Sequence, residues 1–507
     1  MNRIIPALIA ILFLLPGCAT VQEVFDTVSG YIAGMINSSD TEAPSAEKTQ
    51  VTGETPIRQP DRQPASTAPP QSRQATPLPQ AARQPTQTQR PALWYIIPLS
   101  YDTAYSYRTD KPDPLMVKMP QNIEALRANN PTEYVKQTAE YINSKSTDNF
   151  QRVKKAHDLT ALLIRYDAAS YWANTIPDQS FQNVLKTRLA VCEGYANLFK
   201  RLCDELKIPC EVVHGYGRGV GSSPDAVERP YNSNHAWNIV AINGEHYLVD
   251  VTWNSGFMDG RVSKQSYTTD YLFLKPEHFI HDHFPTNSNH QLLKTPLSAA
   301  QFSSLPFLKP KFFEFVQDIS VNLRKKMYVD NGLVFDFSAK DGYHISFNMY
   351  DIAGGKEFRN NTFIGNNGSG NTAYFSFPEA GQYLVRIFWM KNGTRQGSGC
   401  GEFIAEASSA SAVLYPTTYT SSVKNLRIIS PLEMPLEREK TYTFQVSADN
   451  RSVAALIYGR TFVQMTKNQD GVFTIEFTVP LNISELSMAM ANSVTGSYQT
   501  VAKYLVR

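Results

Sequence analysis

The sequence predicts a domain of mixed helices and strands followed by two β-sandwich domains of Ig-like size, and three observations carry that prediction. An apolar stripe at helical spacing follows Cys192, an Asn243-Gly244 turn joins two strand-like runs, and beyond about Leu308 short alternating runs are separated by Gly- and Asn-rich segments. At 507 residues the chain is long enough for about three domains. Its formal net charge of +2 gives no footprint for nucleic acid, which is not expected as a partner.

The first segment reads as an export signal. Met1-Asn2-Arg3, an apolar run over 4–15 and Leu15-Pro16-Gly17-Cys18 form a secretory signal over residues 1–17 that ends in a bacterial lipobox. Acylation of Cys18 would tie the mature chain to a membrane through several acyl chains, enough for stable anchoring. A lipid-anchored protein of the bacterial cell envelope is therefore expected, and Ala19 at the second mature position points to the outer membrane. Residues 18–90 continue with a short amphipathic helix over 21–37 and then a tether, since 51–90 hold eight Pro and eight Gln in forty residues.

Residues 91–307 are expected to form the mixed domain. Its arm, 91–119, carries Trp94, Tyr95, Tyr101 and Tyr105 and would pack on the domain; helices follow over 131–146 and 149–166. After Cys192 the residues Leu198, Leu202 and Leu206 recur every four positions with Phe199 and Cys203 beside them, so Cys192 falls at a helix start. Unpaired N–H groups and the positive end of the helix dipole there favour a thiolate over a thiol.

Strands are expected over 235–242 and 245–252. The two-residue turn pairs Ile242 with Glu245, and counting outward sets Trp237 opposite Asp250 and His235 opposite Thr252. His235 and Asp250 then share a face as diagonal neighbours, roughly 7–8 Å apart at the backbone. A three-residue loop would put them on opposite faces. A thiol, an imidazole and a carboxylate so gathered are the parts of an activated nucleophile.

The runs Val191-Cys192-Glu193-Gly194-Tyr195-Ala196, His235-Ala236-Trp237-Asn238 and Asp250-Val251-Thr252-Trp253 resemble the three motifs of transglutaminase-like cysteine proteins of the kyphoscoliosis-peptidase type. Arg165-Tyr166-Asp167, Tyr271-Leu272-Phe273-Leu274, His283-Phe284-Pro285 and Gln291-Leu292-Leu293 are similar to further pieces of that family, over roughly residues 130–300; His290 departs from it where an aromatic residue is frequent. The resemblance implies a papain-like α+β fold with Cys192 as nucleophile, His235 as base and Asp250 as its orienter. By the same analogy Gln182 is a candidate oxyanion donor, beside the N–H of Cys192. Trp237 and Trp253 are expected as walls that keep water from the site.

Residues 308–409 and 410–507 are the two expected sandwiches. They include 333–337, 343–347, 383–387 and 501–506 as strands, and with no catalytic grouping visible their expected work is binding or spacing. The cluster His278, His281, Asp282 and His283 is interrupted by Phe279 and Phe284, so no metal is expected, and no cofactor. A Cys203–Cys210 disulfide is not expected either. Together these readings describe an exported acyl-transfer enzyme acting on a polypeptide substrate, by hydrolysis in preference to crosslinking; the alternative is a non-catalytic surface scaffold or adhesin.

Overall fold

A computed structural model describes residues 99–507 apart from 353, 367–369, 393, 395–396, 420–422 and 424, all within the compact unit Leu78–Arg507. The expected signal segment, Cys18, the helix over 21–37 and the tether lie outside the described residues. No helix among the described residues is long and apolar enough to cross a membrane.

The described part of the arm packs on the mixed domain. Helix α1 (Leu99–Ser106) buries Tyr101 against Tyr247, with ring centroids 5.1 Å apart, and the Tyr101 hydroxyl donates to the His246 carbonyl. Helix α2 (Pro131–Ser144) starts at an Asn130 cap with Pro131 in its first turn, where a missing N–H costs nothing. Helix α3 (Asn149–Leu163) is capped by Asp148, whose Oδ1 accepts from the Gln151 N–H. It ends earlier than expected because Arg165–Tyr166 turns out to pair in parallel with Leu189–Ala190. That short pair sets the chain direction just before α5 (Cys192–Glu205), and helix α4 (Phe181–Thr187) fills the loop between.

The expected apolar stripe of α5 is its core face: Leu198, Phe199, Leu202, Cys203 and Leu206 are all buried. They pack with α2, α3 and Val240, Ile242, Tyr247 and Val249 of a five-stranded antiparallel sheet. In chain order its strands are β1 (Cys210–Gly217), β2 (His235–Ile242), β3 (Glu245–Val249), β4 (Leu272–Leu274) and β5 (His283–Pro285), and in space the order is β4-β3-β2-β1-β5. Burying about six side chains of this size, at ~1.5–3 kcal/mol each, is what fastens the Cys192 helix to the His235 strand.

Beyond this domain lie two sandwiches. In the first, strands Tyr343–Asp351, Gly381–Lys391 and Ser398–Ala407 form one sheet, facing another built from Val316–Gln317, Gly332–Ala339, Asn371–Ser376 and Thr362–Asn366. Phe307–Leu308, at the end of the mixed domain, pairs antiparallel with Gly401–Glu402 of the first sheet. The second sandwich closes with Gln499–Leu505, between Thr417–Thr418 and Glu485–Ala491. The first sandwich has an aromatic-rich core and the second one made mainly of aliphatic residues and methionine, and Phe363 of the first reaches Tyr415 in the core of the second.

Candidate active site

Three elements deliver the candidate residues. Cys192 is the first residue of α5, half-buried, among first-turn N–H groups that lack partners within the helix. Gly194 is required at its place: a Cβ there would lie 2.6 Å from the Ala190 Cβ, 2.7 Å from Gln179 Oε1 and 2.9 Å from Val184 Cγ2. His235 opens β2. The β2–β3 register runs as expected from Ile242↔Glu245 to Asn238↔Val249 and there stops.

Residues 250–252 are not strand. Asp250 instead caps α6 (Val251–Ser255), its Oδ1 accepting the Trp253 N–H at 3.1 Å. Leaving the ladder brings the carboxylate closer than a diagonal pair requires: His235 Nε2 donates to Asp250 Oδ2 at 2.7 Å, with both side chains buried. Cys192 lies near enough to the His235 ring to act on its charge, and with Nε2 engaged by Asp250, Nδ1 is the ring nitrogen left to face a thiol. Burial pushes the His235 imidazole down, but the Asp250 charge and hydrogen bond, aided by Cys192, reverse this and raise it to about 10. Burial pushes Asp250 up, and His235 and His283 outweigh it, holding the carboxyl well below its usual range.

Beyond Asp250 the network continues through residues that sequence reasoning did not assign. His283 Nε2 meets the same Asp250 Oδ2 at 3.1 Å, its Nδ1 lies 2.6 Å from Asp282 Oδ1, and the Tyr271 hydroxyl donates to Asp282 Oδ2 at 2.6 Å. The available signals were the adjacency of Asp282 and His283, weighed there for metal, and the family-like run His283-Phe284-Pro285. The four-residue cluster does not converge: His278 stacks on Phe313 at 4.1 Å and His281 Nδ1 meets the Pro306 carbonyl at 3.2 Å. Burial lowers these two imidazoles to about 3 and about 4. His235, Asp250 and His283 do place ligand atoms within 4.8 Å of one another. Their contacts to one carboxylate oxygen, at 2.7 and 3.1 Å, have hydrogen-bond lengths.

The two tryptophans flank the imidazoles. Trp253 stacks on His235 with centroids 4.9 Å apart and planes 24° from parallel, and Trp237, fully buried, lies beside both His235 and His283. Gln182 is exposed on α4, whereas Gln179 sits at the start of α5, its Oε1 accepting the Val191 N–H at 2.9 Å. The loop before the Ser180 cap of α4 lies against α5: the Gln179 carbonyl accepts from Asn197 Nδ2 at 3.1 Å and the Gln179 Nε2 donates to the Pro177 carbonyl at 2.9 Å.

Residues 136–251 match the Transglutaminase-like superfamily. The chain carries a transglutaminase-like domain. It is 38% identical over 155 residues to mouse (Mus musculus) kyphoscoliosis peptidase, which is 30% of this chain and 23% of that protein. It is 27% identical over 191 residues to the Lim and transglutaminase domain protein ltd-1 of Caenorhabditis elegans, 34% of this chain and 26% of that one. The match thus spans about a quarter of each of these relatives. A crystal structure described as a TGase is 20% identical over 33% of this chain and 39% of its own, with a TM-score of 0.20. The transglutaminase-like match runs from within α2 to the first residue of α6, and so takes in Cys192, His235 and Asp250 together.

Proposed function

We propose that the protein is an exported, lipid-anchored cysteine acyl-transfer enzyme that hydrolyses amide bonds in polypeptides of the bacterial cell envelope. The observation that carries this reading is the His235 ring, held by Asp250 through Nε2 at 2.7 Å and acted on by Cys192 from the start of α5. The Cys192 thiolate attacks the amide carbonyl carbon, and first-turn N–H groups of α5 face the developing oxyanion. His235 gives its Nδ1 proton to the leaving amine as the C–N bond breaks, leaving a thioester on Cys192. Neutral His235 then takes a proton from water as it attacks the thioester; the acid departs and the thiolate–imidazolium pair is restored. Asp250 keeps the ring in the orientation for both transfers.

The test is the pH profile of Cys192 alkylation by iodoacetamide in wild type and His235→Asn, each checked for folding. An activated thiol reacts fast at neutral pH in wild type and only at higher pH in the variant. Matching profiles would favour the scaffold reading instead. Dimethylcasein with and without dansylcadaverine then separates hydrolysis, which shortens the chain, from crosslinking, which adds the amine. For the anchor, palmitate should label wild type and not Cys18→Ser; equal labelling would remove it from the proposal.

A further inference from the structure

Beside His235 lies a cleft of about 530 Å³ that two domains enclose, a volume inside the roughly 300–1,000 Å³ range of ligand sites. His235, Asn234 and Gly217 form its floor, and Tyr166, Trp253 and Phe257 one side. The other side belongs to the first sandwich: Arg386, Phe388, Gly399 and Glu402. Strand alternation explains that wall. Val385 and Ile387 point into the sandwich core, which turns Arg386 and Phe388 outward on the opposite face.

The two walls are fastened to one another. The Phe307–Leu308 strand adds to the sandwich sheet beside Gly401, where a Cβ would strike Leu308 Cδ2 at 2.7 Å. Arg218, at the end of β1, is buried with Glu228, its Nε and Nη2 donating to the two carboxylate oxygens at 2.6 and 2.9 Å, and it donates further to the carbonyls of His281 and Phe302. Lys325 of the sandwich side completes the knot, 3.3 Å from Glu228 Oε2. A buried charge held by this many partners fixes a geometry, because losing any one of them leaves an uncompensated ion.

The lining also has a chemical preference. It carries several aromatic side chains, among them Tyr166, Trp253, Phe257 and Phe388, and most of its cations are already neutralised: Arg218 by Glu228, Lys264 by Asp259 at 2.6 Å and Arg386 by Glu402 at 3.5 Å. Lys309, exposed in the lining, makes no ion pair among the described residues. We propose that the first β-sandwich is the specificity wall of the site, and that the cleft takes an extended polypeptide segment with bulky apolar side chains and an acidic residue that meets Lys309. The aromatic walls hold the apolar side chains, and the unpaired ammonium favours a carboxylate and repels a basic residue. This rests on the reading of the site as an amide acyl-transfer centre, which supplies the reason for a polypeptide.

The full chain with Cys192→Ala, which binds without turnover, is titrated by fluorescence anisotropy. The probes are a fluorescein-labelled peptide of Phe, Leu, Ser and Glu and a counterpart with Lys in place of Glu. The Glu peptide should bind about tenfold tighter. Gly399→Trp fills the cleft, since a Cβ there has Phe388 Cε1 at 3.9 Å as its nearest neighbour, and should weaken binding by about tenfold or more. Phe388→Ala, with its melt compared to the parent, is the second wall variant and should weaken it likewise, while Lys309→Glu should reverse the preference between the peptides. Equal binding by both wall variants and the parent overturns the proposal, as does an unchanged preference in Lys309→Glu or failure of both peptides to bind. Binding of cellohexaose that is sensitive to Gly399→Trp, in place of peptide, overturns it in favour of a glycan site. The alkylation comparison of wild type with His235→Asn scores the acyl-transfer reading separately, so the wall can fail while that reading stands.

Discussion

His235 and His283 approach one oxygen of Asp250, their Nε2 atoms 2.7 and 3.1 Å from Oδ2. A carboxylate held from two sides, with its second oxygen on the Trp253 N–H, has little freedom to rotate. His283 is thus a positioning residue for the imidazole it does not touch through a hydrogen bond. In His283→Leu, Asp250 and Asp282 each lose a partner in a buried place, and iodoacetamide alkylation of Cys192 at neutral pH should fall about tenfold, less than in His235→Asn. His283→Gln, which restores a donor toward Asp250, should recover most of the rate. Equal rates in wild type and His283→Leu would remove it from the site.

Asp250→Asn separates charge from shape. The amide oxygen can still cap α6, so folding is kept, while the charge that holds His235 is lost. The cost to acyl transfer should be smaller than the roughly 10⁴-fold seen for a serine triad, because a thiolate needs less help than a hydroxyl. Combined with His235→Asn it should add little, the two acting as one unit. Additive losses in single-turnover kinetics would show that they act apart.

Stability should carry the signature of the same pair. The folded His235 value of about 10 lies above its ordinary 6.5, so this contribution is full below 6.5 and is lost as pH rises toward 10. Asp250 is depressed below its ordinary 3.8, so its contribution is full above 3.8 and is lost as pH falls further. The transglutaminase-like domain should therefore melt highest between these limits, with Tm declining from neutral pH toward pH 10. His235→Gln should flatten that alkaline decline, which calorimetry across pH would read.

Gln179 and Gln182 give opposite expectations. Gln179→Ala frees the Val191 N–H at the start of α5 and should slow acyl transfer, whereas Gln182→Ala should behave as wild type. Gly194→Ala drives a methyl group into Gln179, Ala190 and Val184, and overpacking of that kind costs about 1–3 kcal/mol. A Gly194→Ala protein with unaltered Tm and thiol reactivity would contradict the packing described here.

Much of this was legible from local sequence, and the reasons differ by element. Leu198, Leu202 and Leu206 announce α5 because helical periodicity is local, and Asn243-Gly244 fixes the register down to Asn238↔Val249 because a two-residue turn leaves no other pairing. The turn of the chain at Asp250 was hidden, since a capping Asp reads equally well as a strand residue. His283 and Tyr271 reach Asp250 only through β4 and β5, whose order in the sheet no local pattern reveals. Phe388 and Glu402 lie farther still from Cys192 in sequence, and the pairing of Phe307–Leu308 with the sandwich, with the Arg218–Glu228–Lys325 cluster, brings them to the cleft.

The Asn243-Gly244 turn has both residues at positive φ, 56° and 85°. It touches nothing in the site, yet its length decides which way every side chain of the hairpin faces. A single codon inserted there would reverse the parity of one strand against the other and part His235 from Asp250 without altering either residue. The turn is in that sense a silent fourth member of the constellation, and screens for inactive variants should recover insertions at 243–244 as often as substitutions of the base itself.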